Sequence, residues 1–104
     1  MSLVFQKNLS IHDLVKAYVS NPAKIFGLQN KGKIQEGYDA DLVLFTETKS
    51  YQINPETMQG KQKWTPWENF PLIAAVQAVW LGGKAVFNEK THEIKSWGKL
   101  LLNK

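Results

Sequence analysis

The chain reads as α+β: an N-terminal amphipathic helix and a short helix, followed by a small sheet. Three observations predict it. Apolar residues recur with helical period at Ile11, Leu14, Val15, Tyr18 and Val19. After Gly27 the period changes to apolar runs of strand length, at 42–45, 74–81 and 84–87. The last two runs are joined by Gly82-Gly83, a residue pair suited to a two-residue hairpin turn.

The first element starts at Ser10. Its hydroxyl is placed to accept the Asp13 N–H, and Asp13 sets a carboxylate against the positive end of the helix dipole. Leu9 and Leu14 occupy the hydrophobic-staple positions. Pro22 disfavours helical geometry at Asn21, which predicts an end near Ser20 and a new short helix capped by Asn21. Gly27 closes that helix in the left-handed conformation. Residues 31–37 read as a short extended piece bounded by glycines, and 38–41 as a polar turn into strand 42–45. A further short strand is placed at 50–53. From Asn54 to Pro71 the chain is irregular, and a loop of that length is usually functional or packed on something else. Residues 88–96 are polar loop, and Trp97 to Leu102 form a last apolar patch.

Composition narrows the function. With 104 residues there is room for one domain, and 43% hydrophobic with 21% charged residues is ordinary for a globular chain. Cysteine is absent, which excludes disulfides, iron–sulfur clusters and thiolate zinc sites. Two histidines, His12 and His92, are too few for a self-contained His-rich metal centre. The longest apolar run, Leu72 to Val76, is far short of a membrane span, and Met1 to Gln6 do not resemble a secretory leader. A soluble, cytoplasmic protein without membrane contact is expected. All thirteen basic residues are lysine. Without arginine the formal charge of +4 argues for solubility, not for nucleic-acid binding.

No catalytic constellation emerges from the residues. Asp39 and Asp41 are the most catalytic-looking pair, since close carboxylates can share acid and base roles. They equally suit a turn entering strand 42–45, and no nucleophile lies nearby, so the turn role is preferred. His12 falls on the polar side of its helix and His92 in a polar loop, where solvation is the simpler role. Ser10 and Ser20 sit at helix boundaries, away from any strained glycine elbow. Gly32, Gly37, Gly82 and Gly83 do not precede a helix in a phosphate-binding pattern. Lys61, Lys63, Trp64 and Trp67 interleave cations with aromatics, as single-strand binders do. The preferred role for both indoles is to anchor the loop by burial against the strands. No catalytic, cofactor-binding or metal-ligating residue is assigned.

At 21–28 (Asn-Pro-Ala-Lys-Ile-Phe-Gly-Leu), 31–34 (Lys-Gly-Lys-Ile) and 37–45 (Gly-Tyr-Asp-Ala-Asp-Leu-Val-Leu-Phe), the chain resembles the C-terminal segment of the cyclic amidohydrolases. That group includes dihydroorotase, allantoinase and hydantoinase. The hairpin at 79–87 is similar to theirs, and the resemblance covers about residues 9 to 104, nearly the whole chain. The loop Lys63-Trp64-Thr65-Pro66-Trp67-Glu68 resembles one found in dihydroorotases and allantoinases, and Trp64-Thr65-Pro66 points to dihydroorotase. Asn69-Phe70 departs from the glycine that many relatives carry there, which leaves allantoinase and hydantoinase open.

The resemblance implies a piece of a larger enzyme: a (β/α)8 barrel with a small β-sandwich built from both chain ends. Residues 1–28 would be the last helix region of the absent barrel, and 29–104 the C-terminal part of the sandwich. It also implies two zinc ions in the parent, held by barrel residues that lie before this segment, so none of them falls here. The parent would interconvert dihydroorotate and N-carbamoyl-aspartate in pyrimidine biosynthesis, while this chain alone would hold no metal and be inactive. Two other readings remain open, a free-standing binding module with 61–67 as its contact loop and a non-catalytic subunit of a separate barrel. Truncation predicts that the missing barrel is the natural partner, that 42–45 and 84–87 are unpaired edges, and that the chain self-associates.

Overall fold

No periodicity announces the first element. In the computed structural model, which describes residues 1–91, 93–96 and 98, Ser2–Phe5 form a single helical turn, α1. It is tied down from a distance: the Ser2 hydroxyl accepts the N–H groups of Ile73 at 3.0 Å and Ala74 at 3.2 Å.

The second element begins where expected. Ser10 Oγ accepts the Asp13 N–H at 3.1 Å and donates to the Asp13 carboxylate at 2.6 Å, opening α2 (Ile11–Val15). The predicted break at Ser20 is corrected. Ser20 and Asn21 keep right-handed helical dihedrals, so the chain runs through a wide turn over Lys16–Ser20 into α3 (Asn21–Ile25). Pro22 has no N–H to donate and its ring crowds the preceding turn, and the helix answers by widening. The Asn21 N–H accordingly donates to the Lys16 carbonyl, five residues back, and Asn21 lies inside the helix instead of capping it. Gly27 ends the segment as predicted, at φ +63°. The Gly27 N–H meets the Lys24 carbonyl and the Leu28 N–H meets that of Ala23, which is the Schellman pattern.

Residues 31–37 form no strand. Asn30, Gly32 and Gly37 all have positive φ, which interrupts extended backbone, and the Asp39 N–H closes the loop on the Asn30 carbonyl at 2.9 Å. Gly32 lies against the helix, where an added Cβ would come within 2.6 Å of the Ala23 Cβ.

The sheet is an antiparallel meander in the order β1 (Leu42–Tyr51), β2 (Leu72–Leu81), β3 (Lys84–Asn88), β4 (Glu93–Ile94). β1 takes in the first half of the separate strand placed at 50–53, because Thr46 and Glu47 continue the pairing with Ala75 and Ala74 after the apolar run ends, and residues 52 and 53 lie in no strand. Gly82 and Gly83, at φ +56° and +81°, make the tight turn between β2 and β3. Among the described residues β1 is an edge. The expected edge at 84–87 is covered in part: Phe87 and Asn88 pair with Ile94 and Glu93, and the Val86 carbonyl accepts the Lys95 N–H at 2.8 Å. The polar segment 88–96 therefore supplies a strand that its composition hides. His92 and, in the terminal apolar patch, 97 and 99–102 lie outside the described residues.

A single sheet with short helices is what the described residues form; a second sandwich layer is not among them. The interior is thin. Ala23 and Ala78 are the buried apolar residues, and no large side chain among the described residues is fully buried. Val43 and Leu44, neighbours that point to opposite faces of β1, are both exposed. The helical stripe is open too, at Ile11, Val15, Tyr18 and Val19. The accessible surface is 8557 Å², where a compact monomer of 11.9 kDa would show about 5,900 Å².

Candidate functional site

The densest polar cluster forms where the 30–41 loop meets the β2–β3 hairpin. Positive φ at Asn30 and Gly32 turns the chain around Lys31, and the Asp39 N–H bond to Asn30 brings 39–41 alongside it. The Lys31 ammonium reaches the Asp39 carboxylate at 2.8 Å and also bonds one oxygen of Asp41. The other Asp41 oxygen accepts the Gly82 N–H at 2.8 Å, and the Gly83 N–H donates to the Ala40 carbonyl at 3.0 Å. Lys31 is held above the ordinary lysine value, first by its hydrogen bond to Asp39 and then by that to Asp41, against a smaller opposing effect of burial.

This geometry decides between the two roles open to Asp39 and Asp41. The structure brings them together, but around a lysine and a backbone amide. Their lone pairs are engaged in fastening a loop to a hairpin, which is the turn role. Lys31 was not singled out by its sequence context; a lysine ten residues before Asp41 carries no local signal, and only the loop's closure reveals it.

The other candidates are dispersed. His12 is exposed on α2. Ser10 caps α2, and Ser20 donates to the Gly32 carbonyl at 3.3 Å, tying helix to loop. Gly32, Gly37, Gly82 and Gly83 serve turns at positive φ. The expectation for Trp64 and Trp67 is overturned: they remain 64% and 59% exposed. The loop is anchored by smaller groups. Thr65 is 7% exposed and its hydroxyl accepts the Trp67 N–H at 3.2 Å. Lys63 donates to the Met58 carbonyl at 2.6 Å, and Asn54 caps the short turn Pro55–Thr57. Trp67 meets Phe70 edge-on, with ring centres 5.8 Å apart. The backbone of the loop is thus held without either indole.

Among the described residues no three His, Cys, Asp or Glu side chains gather to hold a metal ion. No helix among them is long and apolar enough to cross a membrane. The arrangement binds chain to chain; it holds no nucleophile beside a base.

Comparison with known proteins supplies what the geometry lacks. The profile of the amidohydrolase family matches residues 4–87. A dihydroorotase of Methanosphaera stadtmanae is 44% identical over 66 residues, covering 64% of this chain and 15% of that protein. An allantoinase of Solibacter usitatus is 31% identical over 97 residues, covering 93% of this chain and 21% of that protein. Among solved structures, a D-hydantoinase (dihydropyrimidinase) from a Thermus species superposes with a TM-score of 0.82 at 29% identity, over 96% of this chain and 23% of that one. The chain thus spans about a fifth of the length of the relatives it matches.

Proposed function

The chain belongs to the amidohydrolase family, and from that premise we propose that it is the C-terminal segment of a dihydroorotase-like cyclic amidohydrolase. One observation carries this reading: the chain, which matches a dihydroorotase over 96 residues, leaves apolar faces of both helix and sheet open. Burying one large apolar side chain is worth roughly 1.5–3 kcal/mol, so a stripe of four or five rivals the whole stability of a small domain. A surface of that kind belongs inside a larger core. Residues 1–28 are then the last helix region of a barrel and 29–104 the C-terminal part of a small β-sandwich.

In this reading the parent opens and closes dihydroorotate reversibly, with N-carbamoyl-aspartate as the open form, in the cytoplasm. Metal ions, two zinc ions in the expected parent, would supply an activated hydroxide for attack on a cyclic amide carbonyl. The described residues do not fit such a centre, since no three ligand side chains gather among them and Asp39 and Asp41 are engaged by Lys31 and the Gly82 N–H. What these residues do is mechanical: Lys31, Asp39 and Asp41 lock the helix–sheet connection onto the hairpin, and Ser2 fastens the N-terminal turn to β2. The allantoinase match and the D-hydantoinase superposition support, as a second reading, a parent acting on one of those cyclic amides.

The test is to recover the DNA flanking the coding sequence, express the longest continuous reading frame and assay dihydroorotate, allantoin and hydantoin. A frame extending upstream through an H-x-H motif, with activity on dihydroorotate, is expected. Activity on allantoin or hydantoin alone selects the second reading. A frame that begins at Met1 overturns the proposal.

A further inference from the structure

We propose that the dipeptide Lys31-Gly32 is a two-sided lock that fixes the angle between the helical segment 11–27 and the sheet, and that the C-terminal end of this segment swings as one body when either side opens. The proposal goes beyond the dihydroorotase-like reading and does not rest on it. α2, the wide turn and α3 pack on one another, and among the described residues no strand packs broadly against them. The segment is held at its ends instead. At the N-terminal end the Asn8 and Leu9 N–H groups fold back on the Leu3 carbonyl, and α1 is fastened to β2 by Ser2. Among the described residues a single hydrogen bond from 11–27 reaches beyond Leu28: Ser20 Oγ donates to the Gly32 carbonyl at 3.3 Å.

Two adjacent residues face both ways. Gly32, at φ +86°, lays its backbone on the helix so closely that a Cβ would stand 2.6 Å from the Ala23 Cβ and 3.2 Å from the Val19 carbonyl oxygen. One residue earlier, the Lys31 ammonium crosses to the sheet side, to Asp39 at 2.8 Å and to Asp41. Asp41 and Ala40 in turn accept the Gly82 and Gly83 N–H groups. A planar peptide joins the two residues and leaves few soft dihedrals between them. Turning Gly32 off Ala23 therefore drags Lys31 off its carboxylates, and the reverse holds as well. The slack lies next door: residues 33–37 are exposed, and Gly37, at φ +83°, has open space around it. Connecting residues of that kind absorb the dihedral change when packed elements reorient.

The chain contains no cysteine, so two introduced thiols carry spin labels at chosen places. Lys24→Cys on α3 and Glu47→Cys on β1 put one label on each side of the lock, both at exposed positions. In the full 104-residue chain a single narrow distance between them is expected. Lys31→Met opens the sheet side and Ser20→Ala the helix side; each should broaden that distance or add a second one. The Asp39 amide, which closes the loop on Asn30, should exchange about fivefold faster in Ser20→Ala, the loss of one neutral hydrogen bond. Val79, paired with Val43 on one side and Phe87 on the other, should keep its slow exchange, which separates an opened lock from an unfolded sheet. In the double variant the gain at Asp39 should fall short of the product of the single gains, because the two contacts form one lock. A narrow distance retained in both variants, gains that simply multiply, or faster exchange at Val79 in step with Asp39 would each overturn the proposal.

Discussion

Removing the Asp41 side chain separates two interactions that one carboxylate makes. One oxygen accepts the Gly82 N–H at 2.8 Å, and the other bonds the Lys31 ammonium. A hydrogen bond from a backbone amide to a charged acceptor contributes about 1.5–3 kcal/mol. The ion pair contributes less, because Lys31 and Asp41 keep 15% and 31% of their side-chain surface in water and Lys31 retains Asp39; about 0.5–1 kcal/mol is its share. Asp41→Asn keeps an oxygen for Gly82 and loses the charge, so it should cost the smaller amount. Asp41→Ala loses both and should cost about 2–4 kcal/mol. At roughly 4–8 °C per kcal/mol for a domain near this size, the alanine variant should melt ten or more degrees lower and the asparagine variant a few. Tryptophan-detected thermal and urea unfolding measures both, and amide exchange at Gly82 locates the effect. If asparagine costs as much as alanine, the Gly82 bond is not the larger part; if neither costs anything, the clamp does not stabilise the fold.

Three further outcomes are expected. Gly32→Ala should cost about 2–5 kcal/mol, from left-handed strain plus overpacking against Ala23 at 2.6 Å; Gly83→Ala, also at positive φ but with open space around it, should show only the strain in the same unfolding assay. The Lys31 contribution should depend on alkaline pH. Its folded pKa lies above the ordinary value of 10.5, so the stabilisation is complete below 10.5 and fades as pH rises through the higher folded value. The stability difference between the wild type and Lys31→Met, followed from pH 8 upward, should shrink only beyond 10.5. Trp64→Ala should cost less than about 0.5 kcal/mol, as an exposed side chain away from the loop's anchors, whereas Thr65→Val should cost more; equal losses in urea melts would restore the indole as an anchor.

Features that close within a few residues are legible along the chain. Ser10 caps Asp13, Gly27 ends α3, and Gly82-Gly83 turn the hairpin, because each needs only a hydroxyl, or a tolerance for positive φ, at a fixed short offset. The strand cores at 42–45, 74–81 and 84–87 were legible for the same reason, since alternation and apolarity are written along the chain. The candidate site was half legible: Asp39 and Asp41 were visible as a pair, while the group they hold was not. Lys31 and the Gly82 N–H reach Asp41 across ten and forty-one residues, and Ser2 reaches Ile73 across seventy-one. Those contacts follow from the three-dimensional arrangement, as do the passage of the helix through Pro22, the cover of β4 over part of β3 and the exposure of both indoles. Local rules price a turn or a cap by nearby atoms; where a distant group supplies the partner, the outcome is set by the meeting of whole elements.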